Sequence, residues 1–282
     1  MGIDTEIMKI SENTLAIGKS FMDSKEYLPL AILTGSCIEY ARKNDRGQFM
    51  IPYNYGADAD GQYPRVIRSI LDALGYHECQ IFAPMIEEIS ENCKDLNLLN
   101  NALKTGDLVY QLPYDSRDSW KPDHILSDDE MNQFKDIQSK GKKIGIIGDP
   151  MCLASLGNDL LEVLERKGYY LIRMSFHEMM NYSWKENDKL NHLDHSQLLD
   201  ISKKNLGMYA GNFGSYRFVK AIELSERCDA IIHVTPRYEN TAMVLQLRGI
   251  IDHCDCPYFE IALDGEVDDT VKEHLSSFLY YV

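Results

Sequence analysis

Short apolar runs that stop at a Gly, Pro or Asp turn, each followed by a stretch of helical spacing, recur along this chain and constrain its fold more than any other feature. KKIGIIGDP, residues 142–150, is a basic start, an apolar run and a Gly turn, the pattern of a buried parallel strand. DAIIHVTP at 229–236 and PYFEIALD at 257–264 read the same way, and YYLIRMSF at 169–176 supplies a further strand. Helical spacing separates them. A helix is predicted over about 153–167, with Leu160, Leu161 and Leu164 on one face, and a polar helical stretch runs from about 190 to 205. GNFGSYRF then opens another helix, with Ser215 as its cap and Phe218, Ala221, Ile222 and Ser225 at helical spacing. A helix over about 242–253 precedes the last strand, and DDTVKEHLSSFLYYV closes the chain as a helix whose Asp268 and Asp269 suit its start. Strands alternating with helices specify a parallel, doubly wound sheet, with right-handed crossovers placing helices on both faces.

The first half repeats the theme. Residues 26–75 read as helix, buried strand, polar Gly-bearing loop and second helix, in EYLPLAILTG and then MIPYNYGADADGQYPRVIRSILDALG. The strands are QFMIPYNY at 48–55 and ECQIFAP at 78–84. The GADADGQY loop thereby falls at the carboxyl end of a strand, where open α/β sheets keep their sites. The expected architecture is α/β: two doubly wound, Rossmann- or flavodoxin-like parallel-sheet domains with a crevice between them. The boundaries are an N-terminal domain over 1–120, a linker over 121–141 and a C-terminal domain over 142–282. The linker lies within a polar, acidic stretch from about 116 that is broken by Pro122.

Composition narrows the function classes. Acidic residues number 44 against 29 basic, a formal charge of −15, and such a field repels nucleic acid unless a basic patch overrides it. The densest basic cluster, Lys140, Lys142 and Lys143, is too short to do so. No apolar run approaches the roughly 20 residues that span a bilayer. The first residues lack a basic segment followed by an apolar one, and Glu6 spoils a myristoylation pattern after Gly2. The chain is expected to be cytoplasmic, without nucleic-acid or membrane partners. Its seven cysteines are an odd number with no disulfide-like spacing, which fits a reducing compartment.

These pieces together resemble the iron–sulfur subunits of the 2-hydroxyacyl-CoA dehydratases and the related CoA enzyme activase proteins. EYLPL is similar to the family's turn before a helix, and GADADGQY to its GPCRFGQY-type loop through Gly56, Gly61, Gln62 and Tyr63. KKIGIIGDP looks like the family's strand ending in a Gly-Glu turn, CDAIIHVTPRYENTAMV like a strand followed by a Pro-Phe-x-Cys turn, and PYFEIALDGEVDD like its last strand and Leu-Asp-Glu motif. The resemblance implies paired homologous subunits, each holding one 4Fe–4S cluster, served by an activator ATPase. The cluster passes a single electron that lets water leave a 2-hydroxyacyl-CoA. It also implies that the old cluster crevice is formed here by Tyr27, Pro29, Asp58, Asp60, Gln62, Tyr63, Asp149, Arg237 and Glu239.

The thiolates that such a cluster needs are missing from those turns. No Cys occurs from Ser24 to Ser36; Asp58, Ala59 and Asp60 stand in the second turn; Arg237, Tyr238 and Glu239 stand in the third. The expectation is therefore a cluster-free homologue with no resident cofactor, a partner or scaffold subunit or a small-molecule binder. A cluster would require ligands other than the family cysteines. One alternative is a component of a reductive dehydratase or activase system, a lyase working with a cluster-bearing subunit. Another is a carboxylate-metal enzyme using Asp58, Asp60 and Glu239, which with Asp149 fall at carboxyl ends of strands, set against the preferred reading that acids simply populate solvated loops. Cys254 and Cys256 form the only close thiol pair, and Cys152 follows a strand near a helix start, where a thiolate is favoured; the preferred reading of each is a part-buried or buried thiol that packs its turn. Cys228, ahead of its strand, reads as core, and His233 as a hydrogen-bonded core histidine. His192 and His195 have ligand spacing but no third partner nearby. GIIGDP and GNFGSYRF match neither G-x-G-x-x-G nor a P-loop, and no G-x-S-x-G elbow occurs.

Overall fold

The structure is a computed structural model that describes residues 11–22, 28–52, 59–85, 88–89, 141–149, 152–153, 158–174, 204, 212–237, 249, 252–265 and 267–282. The chain divides into two compact units, one of Met1–Cys93 with Pro236–Glu239 and the other of Lys94–Thr235 with Asn240–Val282. The predicted linker (apart from Gly141), the polar stretch at 190–205 (apart from Lys204) with His192 and His195, and most of the 242–253 helix lie outside the described residues.

In the first unit, helices α1 (Glu12–Ser20) and α2 (Leu28–Asn44) precede strand β1 (Gly47–Met50). A 3-10 turn (Ala59–Gln62) leads into α3 (Tyr63–Ala73), and β2 (Cys79–Phe82) follows. The two strands pair in parallel, Gly47 opposite Cys79 through Met50 opposite Phe82. β1 is shorter than the 48–55 expected: Ile51 N–H still donates to Phe82 O, but Pro52 has no N–H to continue the ladder. A core of Ile38, Phe49, Tyr63, Ile67, Leu71 and Cys79 joins α2, α3 and the strands.

Helices α1 and α2 meet at backbone distance. Ser11 caps α1, its hydroxyl accepting from Thr14 N–H and Thr14 Oγ1 accepting from Ser11 N–H. The Thr14 hydroxyl also donates to Glu39 of α2 at 2.8 Å, which holds that carboxyl below its usual range, with Lys43 adding to the effect. A Cβ on Gly35 would stand 1.8 Å from the Thr14 carbonyl oxygen, and one on Gly18 1.8 Å from that of Ala31. No side chain fits either gap.

The second unit contains β3 (Lys143–Gly148), α4 (Asn158–Arg166), β4 (Tyr170–Arg173), α5 (Asn212–Ser225), β5 (Ala230–Pro236), β6 (Tyr258–Leu263) and α6 (Asp269–Tyr281). Its four strands run in the order β4-β3-β5-β6, with β3 parallel to both β4 and β5. Register assigns the faces. Gly145 pairs with Ile172 and Ile231, and a Cβ on Gly145 would meet Leu224, so this face lies under α5. Ile146 pairs with Arg173 and Ile232, and Arg173 forms an ion pair with Glu165, so the other face lies under α4. α6 joins the second layer: Phe278 stacks on Phe259 at 5.0 Å, and Tyr169 OH reaches the Leu279 carbonyl at 3.4 Å. Asp268 caps α6 by accepting from Val271 N–H, as its sequence predicts. α5 starts at Asn212, so Ser215 is inside the helix and is not its cap. Among the described residues no helix is long and apolar enough to cross a membrane.

The Gly35 contact sets a measurable expectation. Gly35→Ala must push α1 off α2 and should lower unfolding stability by about 3 kcal/mol, the upper range for forced overpacking. Urea unfolding followed by circular dichroism reads this as a lower midpoint; an unchanged midpoint would mean that the helices separate without cost.

Candidate functional site

The strands of the larger sheet end in distinct chemistry at their two edges. At the carboxyl edge Gly148 has φ +153°, and a Cβ there would lie 2.0 Å from the Val234 carbonyl oxygen, so only glycine lets β3 stay against β5. Asp149 follows. Its N–H donates to Val234 O at 3.0 Å, its carboxylate accepts from Cys152 N–H at 3.0 Å, and its carbonyl accepts from Leu153 N–H at 2.9 Å. Asp149 thus starts the turn that leads toward α4, and Cys152 is fully buried behind it. Ahead of β6, His253 packs edge-on against Phe218 of α5 at 6.2 Å.

A polar seam joins β5 to β6 on the α5 face. His233 pairs in register with Ile147, which places its ring under α5. Its Nδ1 lies 2.6 Å from the Tyr258 hydroxyl, and the rings meet edge to face at 6.1 Å. Two residues nearer the carboxyl edge, Thr235 Oγ1 donates to Glu260 Oε1 at 3.4 Å. Tyr216, Arg217 and Lys220 of α5 are all buried, and the Arg217 charge acts on the His233 ring. Lys220 is balanced by Glu223 at 2.9 Å.

The electrostatics follow from burial. His233 is held well below its usual value of 6.5, first by desolvation and then by the nearby Arg217 charge, so it is neutral at pH 7. Its Nε2 is buried and has no hydrogen-bond partner among the described residues. Glu260 is exposed as a residue, yet its carboxyl is pushed up by partial desolvation, which the Thr235 bond offsets in part.

The amino edge of the sheet holds the thiols. Cys228 precedes β5, and Cys254 and Cys256 precede β6; all three pack against the core under α5. Desolvation first, then the proximity of Cys256, pushes Cys228 and Cys254 up to about 11, and desolvation raises Cys256 as well. Cys254 donates weakly to the Ala221 carbonyl at 3.7 Å. Cys37, in the other unit, is raised to about 12 by burial, with Cys79 adding to it. These are protonated thiols at neutral pH, not thiolates. Among the described residues no three His, Cys, Asp or Glu side chains are grouped to hold a metal ion.

The sequence candidates distribute unevenly. Pro29 is buried in the first turn of α2, Gln62 is exposed ahead of α3, and Tyr63 is buried in the first unit's core. Asp60 lies on the 3-10 turn, Asp149 at the end of β3, and Arg237 is exposed directly after β5. Tyr27, Asp58 and Glu239 lie outside the described residues. His233 is buried and hydrogen-bonded, as its apolar setting in IIHVTP predicts. Sequence reasoning missed Arg217, Lys220, Tyr258 and Glu260. The one available signal was two cations at helical spacing within the otherwise apolar face of α5. Comparison of the chain with family models, with curated proteins and with solved structures finds no match.

The buried histidine makes stability depend on pH. Below about 6.5 the unfolded chain gains a proton at His233 that the folded state binds only at lower pH, so stability is full above that value and falls with acid by up to about 1.4 kcal/mol per pH unit. Urea midpoints compared at about pH 7.5 and pH 5 should differ less in His233→Phe than in the native protein. An equal difference in both would assign the acid sensitivity to other groups.

Proposed function

We propose that the chain is a cluster-free relative of the 2-hydroxyacyl-CoA dehydratase iron–sulfur subunits, and that it binds a small molecule at the carboxyl edge of its larger sheet instead of passing electrons. The observation that carries this reading is the strand order β4-β3-β5-β6 of the larger sheet. That order is the one found in flavodoxin-like doubly wound sheets, and strands whose connections diverge to opposite faces open a ligand position at their carboxyl ends. Asp149 and Thr235 mark that edge here.

The donor chemistry of the described cysteines argues against an iron–sulfur cluster. A cluster takes converging thiolates. Cys228, Cys254 and Cys256 lie at the amino edge with raised values, Cys152 is fully buried, and Cys37 and Cys79 belong to the core of the other unit. The sequence positions that would supply thiolates carry Asp58, Asp60, Arg237 and Glu239 instead. On this reading the protein works in the cytoplasm, where thiols stay reduced, and associates with a homologous subunit or an activator ATPase that carries the redox group.

Purification without oxygen, followed by iron and sulfide analysis, tests the reading. The expected product is colourless and contains neither element in stoichiometric amount. A brown protein with about four irons per chain would restore electron transfer and end the proposal.

A further inference from the structure

We propose that the β5–β6 seam beneath α5 holds a small anion, the carboxylate or phosphate group of its ligand, between the Nε2–H of His233 and the guanidinium of Arg217. This rests on the small-molecule reading above and specifies the chemistry of that site.

The argument begins with the histidine proton. A phenol O–H is a stronger donor than acceptor, so Tyr258 donates to His233 Nδ1 across their 2.6 Å separation. The ring proton then resides on Nε2. That N–H is buried, and no described residue accepts from it. Buried donors in native proteins are nearly always satisfied, because an unmade bond leaves the desolvation cost uncompensated. Something must therefore accept from Nε2–H in the working protein.

The surroundings decide what kind of acceptor fits. Arg217 is 4% exposed and sits on the buried face of α5, and its charge acts on the His233 ring. A metal cation or an amine would be repelled. A carboxylate or phosphate oxygen accepts from Nε2–H and gains the guanidinium charge in a low-dielectric setting, where such bonds are short and strong. Arg217 makes interactions of its own, and its five N–H donors let it serve a further acceptor. Lys220 is committed to Glu223 and is not needed. Thr235 and Glu260 lie one step nearer the carboxyl edge on the same face, bonded to each other at 3.4 Å.

Imidazole nitrogen NMR on the whole ¹⁵N-labelled chain tests this. The His233 signals are assigned by their loss in His233→Gln, and sodium acetate, succinate and inorganic phosphate are titrated at constant pH and ionic strength. The expected result is a saturable shift of the His233 Nε2 signal by the carboxylates or by phosphate, with the more effective class naming the ligand group. The Arg217 Nε–H signal should move in parallel, and Arg217→Lys should weaken binding by about tenfold or more. Lys220→Gln should leave it within about twofold. A silent His233 with every probe up to about 50 mM overturns the proposal. So does an Arg217 signal that stays still while His233 shifts, a measurement that stands even where Arg217→Lys fails to fold. A colourless, iron-free protein with a silent His233 sinks only this inference, whereas a brown one sinks the functional reading.

Discussion

The parallel register of β3 against both β4 and β5 is the constraint on which the larger unit depends. Side chains alternate along a strand, so a single pairing decides a whole face. With Gly145 opposite Ile172 and Ile231, Ile147 and His233 must lie under α5, while Arg173 must lie under α4 beside Glu165. A slip of one residue would turn His233 toward α4 and away from Tyr258. Gly148 protects the register at its far end, because any other residue would drive its Cβ into the Val234 carbonyl and prise β3 from β5.

That register forces polar groups into two otherwise apolar layers. Arg173 is 2% exposed and Lys220 8%, and taking an ion out of water costs several kcal/mol even after relaxation. Each is matched: Arg173 by Glu165, Lys220 by Glu223. Apolar residues of similar volume commonly give equal or greater stability at such positions, so stability alone does not call for these ions. On the α4 face the pair ties helix to strand and has an evident structural role. On the α5 face the helix buries two basic side chains, Arg217 and Lys220, and the Arg217 charge acts on a neutral histidine, a placement that packing alone does not require.

Strands were the most legible part of the chain, because IGIIG and AIIHV can be little else between turns and helices. Helix starts were harder to read. Gly211 and Gly214 look like breakers ahead of Ser215, yet α5 begins at Asn212, where packing of Tyr216 and Phe218 onto the sheet outweighs the cost of a glycine in the first turn. The burial of His233 follows from its apolar neighbours, but its partner does not. Tyr258 is 25 residues away and reaches it only through the β5–β6 pairing, which no local pattern encodes. Tyr63 shows the converse. Placed by motif in a binding loop, its ring packs into the first unit's core because it opens α3 on the side facing Ile67 and Phe49.

The two edges of the larger sheet divide its reactive residues in a way that separates sulfur chemistry from anion chemistry. Cys228, Cys254 and Cys256 share one desolvated environment, and the thiolate of Cys256 would raise the cost of ionising either of the others. The first proton lost would make the next harder to lose, so the group resists becoming a set of soft ligands at neutral pH. Toward the opposite edge the sign is reversed: burial first, and then the Arg217 charge, disfavour a positive charge at His233 and keep the ring neutral. One helix, α5, covers both. Its Leu224 end closes over the thiols and its Arg217 end over the histidine, so a single element buries the cysteines and supplies the positive charge at the other end.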